Sequence, residues 1–268
     1  MSNRFGVTAL LAAFIFLSSV PGSAHAQFGG LPGLGGGGSK VDPDGLAKKF
    51  GYAIPGMKGS AGAKLAALVE FEAKAMSATT ESLRSSIRSM AEAMGVTKKL
   101  ETAQQYGEVL TEVKAKASEG FKSLSKEKKE LLEKGMRGYL AAAFSGGKLA
   151  LGGAETVKMA TDFKPGPEDL QAAAAVTNAL PTLQKGVADL ADFAPVLAKS
   201  VEVNDALSKV TGAKPLAAAE ISKSANAQLK DAGVGGTLLE EDGDASKEEK
   251  KEEKKEEKKE EKKSGFPF

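Results

Sequence analysis

The chain has 268 residues, with 37 Lys and Arg against 35 Asp and Glu, one His, no Cys and no Trp. The lack of cysteine excludes disulfides and thiol nucleophiles, and a near balance of charge argues against the concentrated basic patch of a nucleic-acid binder. A chain of this length can bury a sizeable core, so packing alone can hold its fold.

Residues 1–26 carry the three parts of a secretory signal peptide. Arg4 is the only charged side chain, an uncharged stretch runs from Phe5 to Val20, and Pro21-Gly22 precedes Ala24-His25-Ala26. The apolar run is shorter than the roughly 20 residues of a spanning helix. Cleavage after Ala26 and a periplasmic or secreted mature chain are therefore expected. The 242 residues left would have lost Arg4 and the one His, His25. Ser-His and Cys-His nucleophilic pairs and the usual zinc and copper ligand sets are then excluded, so neither metal nor cofactor is expected.

Residues 27–43 form a Gly-rich leader. Gly33 to Gly38 formally fits G-x-G-x-x-G, but that fingerprint needs a strand before it and a helix opening directly after it. A cleavage site and Val41-Asp42-Pro43 flank it instead, which makes it a flexible linker.

From residue 44 to 239 apolar residues recur at three and four, the helical period. Leu65, Leu68, Val69 and Met76 lead into Leu83, Ile87, Met90 and Met94, predicting one long helix over about 60–94 with Gly95 at its C-terminal cap. Leu100, Ala103, Tyr106, Leu110, Val113 and Ala117 form a second stripe that ends at Gly120. A third helix starts after Ser125, whose hydroxyl can cap free amides. It is expected to bend or stop at Gly146-Gly147 and Gly152-Gly153, with a further segment to about Phe163. Lys164-Pro165-Gly166-Pro167 is the clearest break and a candidate subdomain boundary. The helix that follows is expected to be interrupted or kinked at Pro181 and again at Pro195. A last helix runs from near Pro215 to Gly233. Strand signals are nearly absent. The fold class is all-α: an antiparallel bundle of about five to seven helices.

Residues 240–263 hold twelve acids and nine lysines, including four copies of Lys-Glu-Glu-Lys from Lys247. Like charges stack at every i,i+4 pair while opposite charges meet at half the i,i+3 pairs, so these contributions largely cancel. A solvated, partly helical spacer is expected. Residues 264–268 end the chain on Phe266-Pro267-Phe268, which resembles the aromatic-x-Phe ending of outer-membrane β-barrel proteins. No alternating strand precedes it here, so what the ending offers is an exposed aromatic motif. Phe266, Pro267 and Phe268 are the candidate partner-binding residues.

Few residues point to chemistry. Ser145-Gly146-Gly147-Lys148 fits S-x-x-K and Ser224-Ala225-Asn226 fits S-x-N, which resemble elements of serine enzymes such as β-lactamases and penicillin-binding proteins. The third element, K-T-G on a strand, is missing, and S-x-x-K recurs at Ser123–Lys126 and Ser125–Lys128. The carboxylates Glu168, Asp169, Asp189 and Asp192 sit where helix surfaces and N-termini normally carry them. Glu81, Arg84, Arg88 and Glu92 line up as a solvated salt-bridged face. Gly138 to Ala154 is the most apolar stretch after residue 27, broken only by Lys148; a buried helix is expected there, with a membrane-inserting hairpin as the alternative. The expected function is an exported, non-enzymatic interaction or scaffold protein of the bacterial envelope, with protein partners and no nucleic acid. The alternatives are a membrane- or lipid-associated envelope protein and an enzyme of unfamiliar kind using Ser, Lys or carboxylates.

Overall fold

The computed structural model describes residues 41–212 and 214–238. The expected signal peptide, the Gly-rich leader up to residue 40, the Lys/Glu repeats and Phe266, Pro267 and Phe268 lie outside the described residues. The described chain is mostly helical, as the all-α expectation requires.

Helix α1 (Pro43–Lys49) is capped by the Asp42 carboxylate, which accepts from the Gly45 amide at 2.9 Å, and leads into strand β1 (Tyr52–Ala53). Helix α2 (Ala61–Ala93) follows the predicted span closely. Its N-cap Ser60 accepts from the Ala63 amide at 3.2 Å and donates to the Asp169 carboxylate across the fold. Gly95, at φ +63°, turns the chain at the other end, in a conformation that costs side-chain-bearing residues dearly. Helix α3 (Ala103–Gly120) opens on a capping box between Thr102 and Gln105.

Helix α4 (Lys126–Asp162) corrects one expectation: it does not stop at its paired glycines, and runs unbroken for 37 residues after its N-cap Ser125. Each glycine costs a helix about 1 kcal/mol relative to alanine. Here they admit neighbours. A Cβ at Gly135 would lie 2.7 Å from Met90 Cγ and 2.9 Å from the Ser86 carbonyl oxygen, so α2 and α4 touch backbone to side chain. Gly146 faces Leu197 and Gly153 faces Val187 in the same way. Nearly all of Gly138–Ala154 is buried, which places this apolar stretch at the centre of the fold.

A short 3-10 turn at Pro167–Asp169 starts α5 (Leu170–Asp192), which continues through Pro181 rather than breaking there. Pro181 lies on the exposed side. The break at Pro195 is observed: Phe193 separates α5 from the single turn α6 (Ala194–Leu197), with Pro195 in its first turn. Two helices follow: α7 (Ser200–Thr211) carries the chain on beyond the Pro195 break, and α8 (Ala218–Asp231) lies in the span expected for the last helix. Strand β2 (Thr237–Leu238) then pairs antiparallel with β1, Tyr52 opposite Leu238 and Ala53 opposite Thr237.

The most extensive packing is α2 on α4, with α5 laid against both. Two apolar clusters lie along this pair. One joins Leu83, Ile87 and Met90 to Val113, Tyr139 and Phe193; the other joins Leu65, Leu68 and Met76 to Leu149, Leu183 and Leu229. Both draw on chain from either side of residues 164–167.

The return to β2 is fixed by a side-chain clip. The Asn226 carbonyl accepts from the Leu238 amide at 2.7 Å, and its amide donates to the Leu238 carbonyl at 2.9 Å. Asn204 grips Leu216 in the same way, twelve residues ahead, at 3.3 and 3.4 Å. Asn226→Ala leaves both polar groups of a buried residue without partners. It should cost about 1–3 kcal/mol in urea denaturation, whereas Asn178→Ala on the exposed side of α5 should stay within about 0.5 kcal/mol. Equal effects would mean that the clip does not hold the ribbon.

Candidate functional site

The most perturbed carboxyl among the described residues lies in the core. Glu72 sits on the buried face of α2, one turn from Leu68 and one from Met76, with no exposed surface. Lys148, Gly152 and Thr156 recur every four residues on α4 and so share one face. Gly152 is the gap in that face: a Cβ there would collide with the Tyr52 hydroxyl and lie 2.9 Å from Glu72 Oε1. Tyr52 enters from β1, its ring tilted against Phe71 at 5.4 Å, and its hydroxyl donates to the Lys148 carbonyl at 3.1 Å.

That bond uses the one proton Tyr52 has. The Tyr52 and Thr156 hydroxyls lie close enough to draw the Glu72 pKa down, yet neither completes a hydrogen bond to it, and both Glu72 oxygens are buried without a partner. Burial prevails. Loss of water raises the Glu72 pKa from 4.5 to about 8, and the Glu155 charge adds to the rise. A carboxyl in such a site is neutral at pH 7. Burial also pushes the Tyr52 hydroxyl well above its usual range. Glu155 is held by Lys49 of α1 at 2.6 Å. Lys148 is buried too, its ammonium 5.2 Å from the centre of the Phe144 ring.

Tyr52 points inward, and Ala53 beside it on β1 is exposed. Ala53, Ile54 and Pro55 form one wall of an open groove of about 780 Å³; Asn226, Ala227 and Lys230 of α8 and Val234, Gly236 and Thr237 form the rest. Its lining is mostly apolar, with Lys230 as the one cation among these residues. A second hollow of about 430 Å³ lies between α3 and the α5–α6 corner, with Gln104, Glu108, Asp192 and Lys199 in its lining; Lys199 donates to Thr111 Oγ1 at 2.9 Å.

The residues that matched serine-enzyme elements are used otherwise. Ser145 is buried in α4, and Asn226 is committed to Leu238. Asp189 pairs with Lys185 at 2.7 Å and Asp169 accepts from Ser60. Arg84 and Arg88 do more than salt-bridge on a solvated face. Their guanidinium groups lie 5.4 Å from the Phe193 ring centre and 5.9 Å from that of Tyr106, roofing the edge of the core. Phe266, Pro267 and Phe268 lie outside the described residues.

Among the described residues no helix is long and apolar enough to cross a membrane, and no group of three or more His, Asp or Glu comes together to hold a metal. No protein family, characterised protein or solved structure matches the chain.

Proposed function

We propose that the chain is an exported, non-enzymatic interaction or scaffold protein of the bacterial envelope, an antiparallel helical bundle that docks an extended apolar peptide segment of a partner protein in the groove between β1 and α8. The observation that carries this reading is the division of polar and apolar surface around β1. The one strongly perturbed carboxyl among the described residues is sealed inside the core, where no substrate reaches it, while the larger of the two solvent-open hollows is mostly apolar and flanked by β1. Ile54, Pro55, Ala227 and Val234 suit aliphatic or aromatic side chains, and Lys230 at the rim suits a flanking acid. Residues 1–26 support export, and Phe266, Pro267 and Phe268 remain a second proposed contact for a partner.

Panning a random displayed-peptide library on residues 41–268 tests it. Peptides with aromatic or aliphatic centres should be enriched, and Ala227→Asp, an exposed change in the groove wall, should weaken them by at least about tenfold, or 1.4 kcal/mol. Absence of enrichment over an unrelated helical protein, or equal binding to Ala227→Asp, would overturn the proposal.

A further inference from the structure

The groove is lined by the strand from which the charged repeats depart. Ala53 and Thr237 are register partners in the β1–β2 ribbon and both line the groove, whereas Tyr52 and Leu238 are buried behind them. Beyond Leu238 the chain carries on, outside the described residues, to Ser264-Gly265-Phe266-Pro267-Phe268. Between Leu239 and Phe266 the one apolar side chain is Ala245. Past Leu239, Phe266 and Phe268 are therefore the first large groups able to fill a mostly apolar hollow of about 780 Å³.

We propose that the chain's own Phe266-Pro267-Phe268 occupies this groove in cis, as a tethered plug that a partner segment must displace. The inference rests on the groove being a peptide-docking surface. Reach, geometry and composition name this occupant. The 27 residues between Leu238 and Phe266 extend about 30 Å as a coil and about 40 Å as a helix, and their anchor Leu238 adjoins the groove-lining Thr237. Such a tether gives an effective concentration on the order of millimolar, above what free copies of the chain at micromolar concentration supply. In an extended segment side chains two apart share a face, so Phe266 and Phe268 can enter together. Pro267 then faces outward and limits the freedom lost on docking. The Lys/Glu repeats carry no apolar side chain that could compete. The leader offers Phe28, Leu31 and Leu34, but glycines separate them, and glycine loses more freedom than any other residue when it is ordered. A partner segment that takes the groove frees the aromatic pair for its second contact.

A nitroxide attached at Ser264→Cys tests this at a single site, since the chain has no other cysteine. In residues 27–268 the label should broaden the NMR amide signals of Ala53 and Ile54. The broadening should fall severalfold when Phe266→Ser and Phe268→Ser are combined, which keeps the tether length, and likewise in Ala227→Asp. Isotope-labelled chains without nitroxide, mixed with nitroxide-bearing ones, should keep sharp groove amides. A synthetic peptide of residues 262–268 should bind the double Ser variant about tenfold more tightly than the wild-type chain. That ratio is expected of a plug at millimolar effective concentration with a dissociation constant of about 0.1 mM. Broadening that survives either change, equal peptide binding by the two chains, or broadening only between chains, as when a second copy is the occupant, would overturn the plug. If the double Ser variant ignores this peptide yet binds peptides enriched by panning, the plug fails and the docking groove stands. If it binds neither, both fail.

Discussion

Ile87→Asp should destabilise the protein by more than about 4 kcal/mol, enough to abolish cooperative folding in a marginal domain, while Arg88→Asp next to it should cost about 1 kcal/mol. Ile87 has no exposed surface and packs with Leu83, Met90 and Tyr139 in one apolar cluster. Aspartate there either buries a charge with no partner or is neutralised at a cost of similar size. Arg88 is half exposed. It stands 3.7 Å from Glu81 and covers the Tyr106 ring, contacts that are screened by solvent and weak individually. Thermal denaturation of both variants should therefore separate them by ten degrees or more. Equal shifts would show that the buried face of α2 has been assigned to the wrong side.

The stability of the whole protein should fall as pH rises from about 5 to 8, and Glu72 should be the main cause. Its pKa is about 8 in the folded chain against 4.5 ordinarily, so over this interval the folded state holds a proton that the unfolded state has released. Stability from this group is complete below about pH 4.5, declines through the interval, and is fully lost above about pH 8. Each unit of pKa difference corresponds to about 1.4 kcal/mol, so the decline should amount to several kcal/mol. Urea denaturation at intervals of one pH unit checks it. Glu72→Gln should remove the decline, matching the wild type near pH 5 and exceeding it at pH 9. Parallel profiles for the two proteins would mean that the carboxyl is not desolvated.

Much of this architecture was legible in the sequence because it is local. The three-and-four spacing from Leu65 to Met94 located α2, and the Ser125 cap located the start of α4. Glycine was the misleading signal. In an isolated helix Gly152 and Gly153 weaken it, but inside α4 they are where Tyr52, Met76 and Val187 come close, and that packing is invisible until the partners are placed. The same holds for Pro181, whose lost hydrogen bond does not stop α5. The two-residue strands β1 and β2 have no pattern to show, since their pairing depends on Asn226 reaching twelve residues forward. Glu72 did leave a trace. It interrupts the apolar stripe between Val69 and Met76 at helical spacing, where a solvated acid would not be expected. Nothing in the sequence pointed to its companions, because Tyr52 and Gly152 lie 20 and 80 residues away and meet it only in the fold.

The most direct test of the account is a carbon-detected NMR titration of the Glu72 side-chain carboxyl between pH 4 and 10. The account predicts a Glu72 midpoint near 8. A Glu72 midpoint near 4.5 would contradict it.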